Sequence, residues 1–194
     1  MTEVEQYELD KARRAKRMML WFGIISLLMS FAAFTSAFIV SSERDDWIAD
    51  FQMPNAFFLS TPVIILSSIT MWLAVRNIRE EKRSQGMLFL VSTFILGVVF
   101  ASLQYYGFRQ ITYDLGYYFT GESSNITYTY VFLIAFVHLL HIFAALIALG
   151  VVIYKHSKQR YNKDNMLGVE LAGTFWHFVD LLWIYLFCFL YFVR

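Results

Sequence analysis

Five stretches of this chain stay apolar for long enough to cross a bilayer, and short polar segments separate them. The first covers 18–40, about 23 residues without a charge. The others run from about 56–75, 86–105, 128–154 and 167–193. A hydrocarbon core of about 30 Å is spanned by about 20 helical residues. The pattern therefore predicts an all-α integral membrane protein: a bundle of five transmembrane helices over 18–194, preceded by a charged segment at 1–17. That segment is acidic first and basic afterwards, which suits either a surface helix or an unstructured tail. The first apolar run is too long for a cleavable signal peptide and lacks a small-residue cleavage site. Small residues at helical spacing (Ser26/Ser30, Ala33/Ala37, Gly97/Ala101, Ala144/Ala148) mark positions where helices approach closely.

Charge placement orients the bundle. Lys11, Arg13, Arg14, Lys16 and Arg17 precede the first span. Arg76, Arg79, Lys82 and Arg83 lie between the second and third, and Lys155, Lys158, Arg160 and Lys163 between the fourth and fifth. Only Arg44, Arg109 and Arg194 of the 16 Lys and Arg residues fall on the other side. Basic loops stay inside, so the N-terminus is expected in the cytoplasm and the C-terminus outside. Tyr105, Tyr106, Tyr117, Tyr118 and Tyr128 would then contribute to an outer aromatic belt.

Composition narrows the function classes. Hydrophobic residues make up 58% and charged residues 16%, against about 25% charged in ordinary soluble domains. A net charge of +1 gives no bulk attraction for nucleic acid. The single cysteine, Cys188, lies in an apolar run. It excludes an internal disulfide, a CxxC redox pair and a thiolate-held metal cluster.

The candidate chemistry lies in the last two spans. The fifth carries Glu170, His177 and Asp180 beside Trp176 and Trp183, and the fourth carries His138 and His141. A charge at mid-helix in a bilayer costs roughly 2.5–3.5 kcal/mol on the insertion scale, so these side chains need partners. At about 1.5 Å per residue, His177 and His141 both come near mid-bilayer, and the two spans are antiparallel neighbours. Three readings are open. The histidines satisfy the carboxylates in an interhelical hydrogen-bond network. Alternatively His138, His141, His177 and Asp180 ligate a metal or haem. In the third reading, Glu170 and the histidines collect protons.

The same residues carry a resemblance. Glu170 followed by Phe175-Trp-His-Phe-Val-Asp-Leu-Leu-Trp183 closely resembles the final-helix signature of cytochrome c oxidase subunit III, including Trp176, Phe178 and Trp183. His138-Leu-Leu-His141 is similar to that family's preceding helix. Pro54-Asn55 through Ser60-Thr61 to Ser67-Ser68 resembles an earlier one, and Gly97–Phe100 with Gln104 the helix after it. The match runs from Lys16 onward, in the short five-helix form.

The resemblance implies an accessory, redox-inert subunit of a haem–copper terminal oxidase in a respiratory membrane, most often the bacterial inner membrane. Such a complex reduces oxygen to water and pumps protons. It implies no active site, haem or copper in this chain, those being held by partner subunits, and packing against subunit I with membrane lipids bound nearby. Cytochrome c would donate electrons through another subunit. Glu170, His177, Asp180, His138 and His141 would tie the bundle together and buffer protons. A quinol oxidase subunit III, or a self-contained membrane haem or metal protein using His138, His141 and His177, are the alternatives. One departure stands out: many family members follow the serine of the first of these helices with a carboxylate, whereas Ser26 is followed by Leu27.

Overall fold

Lipid offers backbone amides no hydrogen bonds, so each apolar run closes its own ladder as a helix. In the computed structural model, which describes residues 3–48, 51–119, 121, 124–161 and 165–193, five helices are long and apolar enough to cross a membrane. They are α1 (Glu3–Ser41), α2 (Asn55–Arg79), α3 (Arg83–Arg109), α4 (Ile126–Ser157) and α5 (Leu167–Phe192). A π-helical turn, Gln110–Asp114, prolongs α3.

Every helix except α5 outruns its apolar stretch at both ends, because charged residues continue a helix readily once it leaves hydrocarbon. The effect is largest in α1, whose 39 residues would measure about 58 Å at 1.5 Å each. The acidic-then-basic segment is thus an unbroken continuation of the first span. Its exposed pairs Glu8–Lys11 and Asp10–Arg13, both 3.8 Å apart, follow the helical i,i+3 spacing.

Packing is uneven. The α2–α3 hairpin is the most intimate pair, while α5 touches α2, α4 and α1, and α4 touches α3, α5 and α1. Glycines explain how α3 gets close to its neighbours. A Cβ at Gly97 would stand 2.6 Å from the Trp176 ring, and one at Gly86 2.6 Å from Ile78. Helix α1 is held along one stripe only, Ile24, Phe31, Thr35 and Phe38. Its small residues Ser26, Ser30 and Ala33 point away from the bundle.

At the end opposite the basic loops, polar side chains tie the connecting segments down. Asn125 caps α4 by accepting the Thr127 N–H at 2.9 Å, and Gln110 Oε1 accepts the Ala56 N–H at 3.1 Å. Tyr117 and Tyr128, both expected in an outer aromatic belt, stack on each other with ring centres 4.3 Å apart, and Tyr128 is buried. At the basic end, Glu80 is bracketed by Lys82 at 2.7 Å and Arg76 at 3.1 Å. These hydrogen bonds, the Lys82 one foremost, hold its carboxyl below the usual carboxylate range.

Candidate functional site

Along α5, Gly173, Trp176, Asp180 and Trp183 form one buried stripe, spaced three and four residues apart as an inward helical face requires. Glu170, Thr174 and His177 form the adjacent stripe, turned toward an open groove. The antiparallel helix α2 faces both stripes with hydroxyls.

Trp176 Nε1–H donates to Ser67 Oγ at 3.1 Å, and Trp183 Nε1–H to Thr61 Oγ1 at 3.3 Å. His177 Nδ1 and Ser68 Oγ are 2.6 Å apart. Further along α2, Ser60 Oγ accepts from Gln104 of α3 at 2.9 Å, and Thr70 pairs with Thr93 of α3 at 2.8 Å. Helix α2 therefore carries a polar seam through the bundle.

This differs from the pairing expected between α4 and α5. Glu170 lies at the basic end, where Arg17 of α1 reaches it at 3.1 Å and Arg79 of α2 at 3.4 Å. His141 turns its Nδ1 to the carbonyl of Val137 on its own helix, 2.7 Å away. His138 is fully buried among Phe31, Phe100 and Trp183, its ring centre 5.2 Å from that of Trp183. Neither of its nitrogens has a hydrogen-bond partner among the described residues. Asp180 is 2% exposed, and its oxygens likewise lack a bond of standard geometry there. Ser68 is the polar side chain set against it. Depth along the helices put these groups level with one another, but rotation about the helix axes aims them at different neighbours. Phe178 packs against the core from its edge.

The residues that do engage the α5 signature were not singled out from the sequence as its partners. A signal was present: Ser60/Ser67 and Thr61/Ser68 repeat at seven residues, as do Trp176/Trp183. Two antiparallel helices with matching heptad spacing meet in register.

No three His, Cys, Asp or Glu side chains among the described residues converge to hold a metal ion. The groove beside His177 has a volume of about 360 Å³. Its walls are α1 (Arg17, Trp21), α2 (Trp72, Arg79) and α5 (Glu170, His177). A second cavity of about 530 Å³ shares Trp72 and His177 with it and reaches Ser68.

These features define an integral membrane bundle whose polar side chains bind helix to helix. The chain belongs to the cytochrome c oxidase subunit III family, whose sequence profile matches residues 12–194. It is 27% identical over 141 residues to cytochrome c oxidase subunit 3 of Drosophila melanogaster, covering 73% of this chain and 50% of that protein. It is also 27% identical over 134 residues to the subunit of the same name from Chondrus crispus, with 69% and 47% covered. The chain thus spans about half the length of these relatives. Against the cytochrome bo(3) ubiquinol oxidase subunit 3 of Buchnera aphidicola it is 27% identical over 186 residues, covering 94% of this chain and 89% of that one.

Proposed function

We propose that this chain is a redox-inert accessory subunit of a haem–copper terminal oxidase, packed against subunit I in a bacterial inner membrane with its N-terminus in the cytoplasm. The carrying observation is the family match across 12–194. Thirteen basic residues on one side against three on the other support the orientation. The imidazoles that a haem or metal centre here would need are turned to separate partners: His138 to aromatic rings, His141 to its own backbone and His177 to Ser68. They do not fit such a group, and haem and copper belong to the partner subunits.

In this role the subunit supports proton uptake by the core. Glu170, His177, Asp180, His138 and His141 supply protonatable groups from the basic end toward the interior. The groove between α1 and α2, with two arginines at its mouth and two tryptophans along its wall, suits a phospholipid headgroup and the start of its chains.

The test is purification of the tagged chain from native membranes. A copurifying haem–copper core supports the reading, and a haem-free chain with no such partner overturns it. Cytochrome c is the donor in this reading. A quinol donor is favoured by a different observation, the near end-to-end match to a subunit named for ubiquinol oxidation. Oxidation of reduced cytochrome c against quinol by the purified complex decides between them.

A further inference from the structure

His177 stands ten residues into α5, which begins at Leu167. At 1.5 Å per residue that is about 15 Å from the basic end, well inside the hydrocarbon. Yet the imidazole is not sealed in the core. It lines the groove of about 360 Å³ between α1 and α2, and also the cavity of about 530 Å³ whose other walls are Ser68, Ile69 and Trp72. Trp72 is 54% exposed, so its ring also faces the lipid side.

The two ring nitrogens of His177 are not equivalent. Ser68 Oγ lies 2.6 Å from Nδ1, the one hydrogen bond of standard geometry that this serine makes among the described residues. The hydroxyl therefore donates to Nδ1, and the neutral ring carries its proton on Nε2. Nε2 has no bond among the described residues, and the protein does not enclose it. The two cavities thus hold an N–H donor beside an indole face, at a depth that water-soluble groups do not reach.

What fills such a space has to dissolve in the bilayer and to offer an acceptor at that depth. Acyl chains offer none, and a donor left facing hydrocarbon is costly. A phospholipid whose phosphate rests on Arg17 and Arg79 keeps its ester carbonyls near the mouth of the groove. His177 is seven residues on from Glu170, where those arginines meet, and so about 10 Å deeper. A quinone meets both conditions. Its carbonyl oxygens accept the Nε2–H, its flat ring lies against Trp72, and its apolar tail follows the groove. The cavities fall in the range of about 300–1,000 Å³ that suits small-molecule ligands.

We infer that Ser68, Trp72 and His177 form a binding site for the ring of a membrane quinone, with His177 Nε2–H bonded to one of its carbonyl oxygens. The inference concerns binding alone, with oxygen reduction left to the partner subunits. It does not rest on the oxidase assignment, since the groove and its walls belong to this chain.

The experiment is photolabelling of the tagged full chain in native membranes with an azido-1,4-benzoquinone that carries a saturated alkyl tail, followed by peptide mapping. The expected label falls on α2 around Ser68 and Trp72 and on α5 around His177. Excess unreactive quinone of the same tail should displace it, and added phospholipid should not. Labelling should drop about fivefold or more in His177→Ala, the order of one lost hydrogen bond, and be largely kept in His177→Gln, which retains a donor. Trp72→Ala, at an exposed position, should lower it about threefold and decides the matter if His177→Ala does not fold. Label spread evenly over the lipid-facing residues of all five helices overturns the proposal, as does labelling unchanged in His177→Ala or in Trp72→Ala. Equal displacement by phospholipid assigns the space to acyl chains, and no label on this chain in native membranes means a partner helix covers it; either result overturns the proposal too. Copurification of a haem–copper core is scored separately, so failure of the quinone site and failure of the oxidase assignment are told apart.

Discussion

Gly97→Ala compared with Gly150→Ala isolates the contact between α3 and the Trp176 ring. Both glycines lie in the interior of a membrane helix, and both substitutions raise intrinsic helix propensity by about 0.8–1.0 kcal/mol. That gain is common to the pair and cancels in the comparison. What remains is space. At Gly150 a new methyl would find its nearest neighbour, Phe94 Cε2, at an ordinary 3.9 Å. At Gly97 it would meet Trp176 Cη2 at 2.6 Å and Leu146 Cδ2 at 3.0 Å. The Trp176 ring cannot easily swing aside, because it is 2% exposed and its Nε1 is bonded to Ser67. Overpacking of this kind costs about 1–3 kcal/mol. Unfolding of both variants in mixed detergent micelles, followed by helicity, should show Gly97→Ala less stable than Gly150→Ala by about that amount. Equal stability, or a more stable Gly97→Ala, would refute the claim that Trp176 is clamped between α3 and α2.

The other predictions concern the polar seam and the basic end. Ser67→Ala strands the Trp176 N–H and should lower stability in the same assay by about 0.6 kcal/mol, the average for such bonds in membranes, and by no more than about 1.7 kcal/mol; an unchanged midpoint would count against the bond. Glu170→Gln releases Arg17 and Arg79, whose side chains are 61% and 65% exposed. It should therefore cost less than about 1 kcal/mol, and the cost should shrink as salt is added; a large, salt-insensitive loss contradicts that. Glu80 binds its proton less readily when folded, through Lys82 first and Arg76 next. Its contribution is present above the unfolded carboxylate pKa and lost as pH falls through the lower folded value, so Glu80→Gln should lower stability in the neutral range and lessen the acid-side fall. His177→Ala should keep most of the initial oxygen-reduction rate per assembled haem, and total loss of activity in an assembled complex would mean the subunit is not accessory.

The five spans were legible because hydrophobic runs of membrane length leave the backbone no alternative. Their ends were less so. Arg79, Arg83 and Arg109 are helical although charged, since the apolar run marks hydrocarbon and not helix. The continuation of α1 through Glu3–Arg17 rests on local helical pairs that a tail or surface helix would also favour. Which polar side chains lie on the last two spans was visible in the sequence, but of them only His138 and Asp180 are buried, and where each one points was not legible. Side-chain partners depend on the rotation of each helix, and one residue of rotation is about 100°. That is enough to send His138 to Trp183 and leave His177 to Ser68. The small-residue motifs divide similarly: Gly97 receives a tryptophan, while Ser26 and Ser30 of α1 face outward because Ile24, Phe31 and Phe38 occupy its packing stripe.

The central claim is that this bundle serves an oxidase whose redox centres lie in other subunits. Its most direct test is the pigment spectrum and metal content of the tagged chain, taken first as purified from native membranes and again after dissociation from its partners. The account predicts haem and copper in the first preparation and neither in the second. Haem, iron or copper retained stoichiometrically by the isolated chain would contradict it.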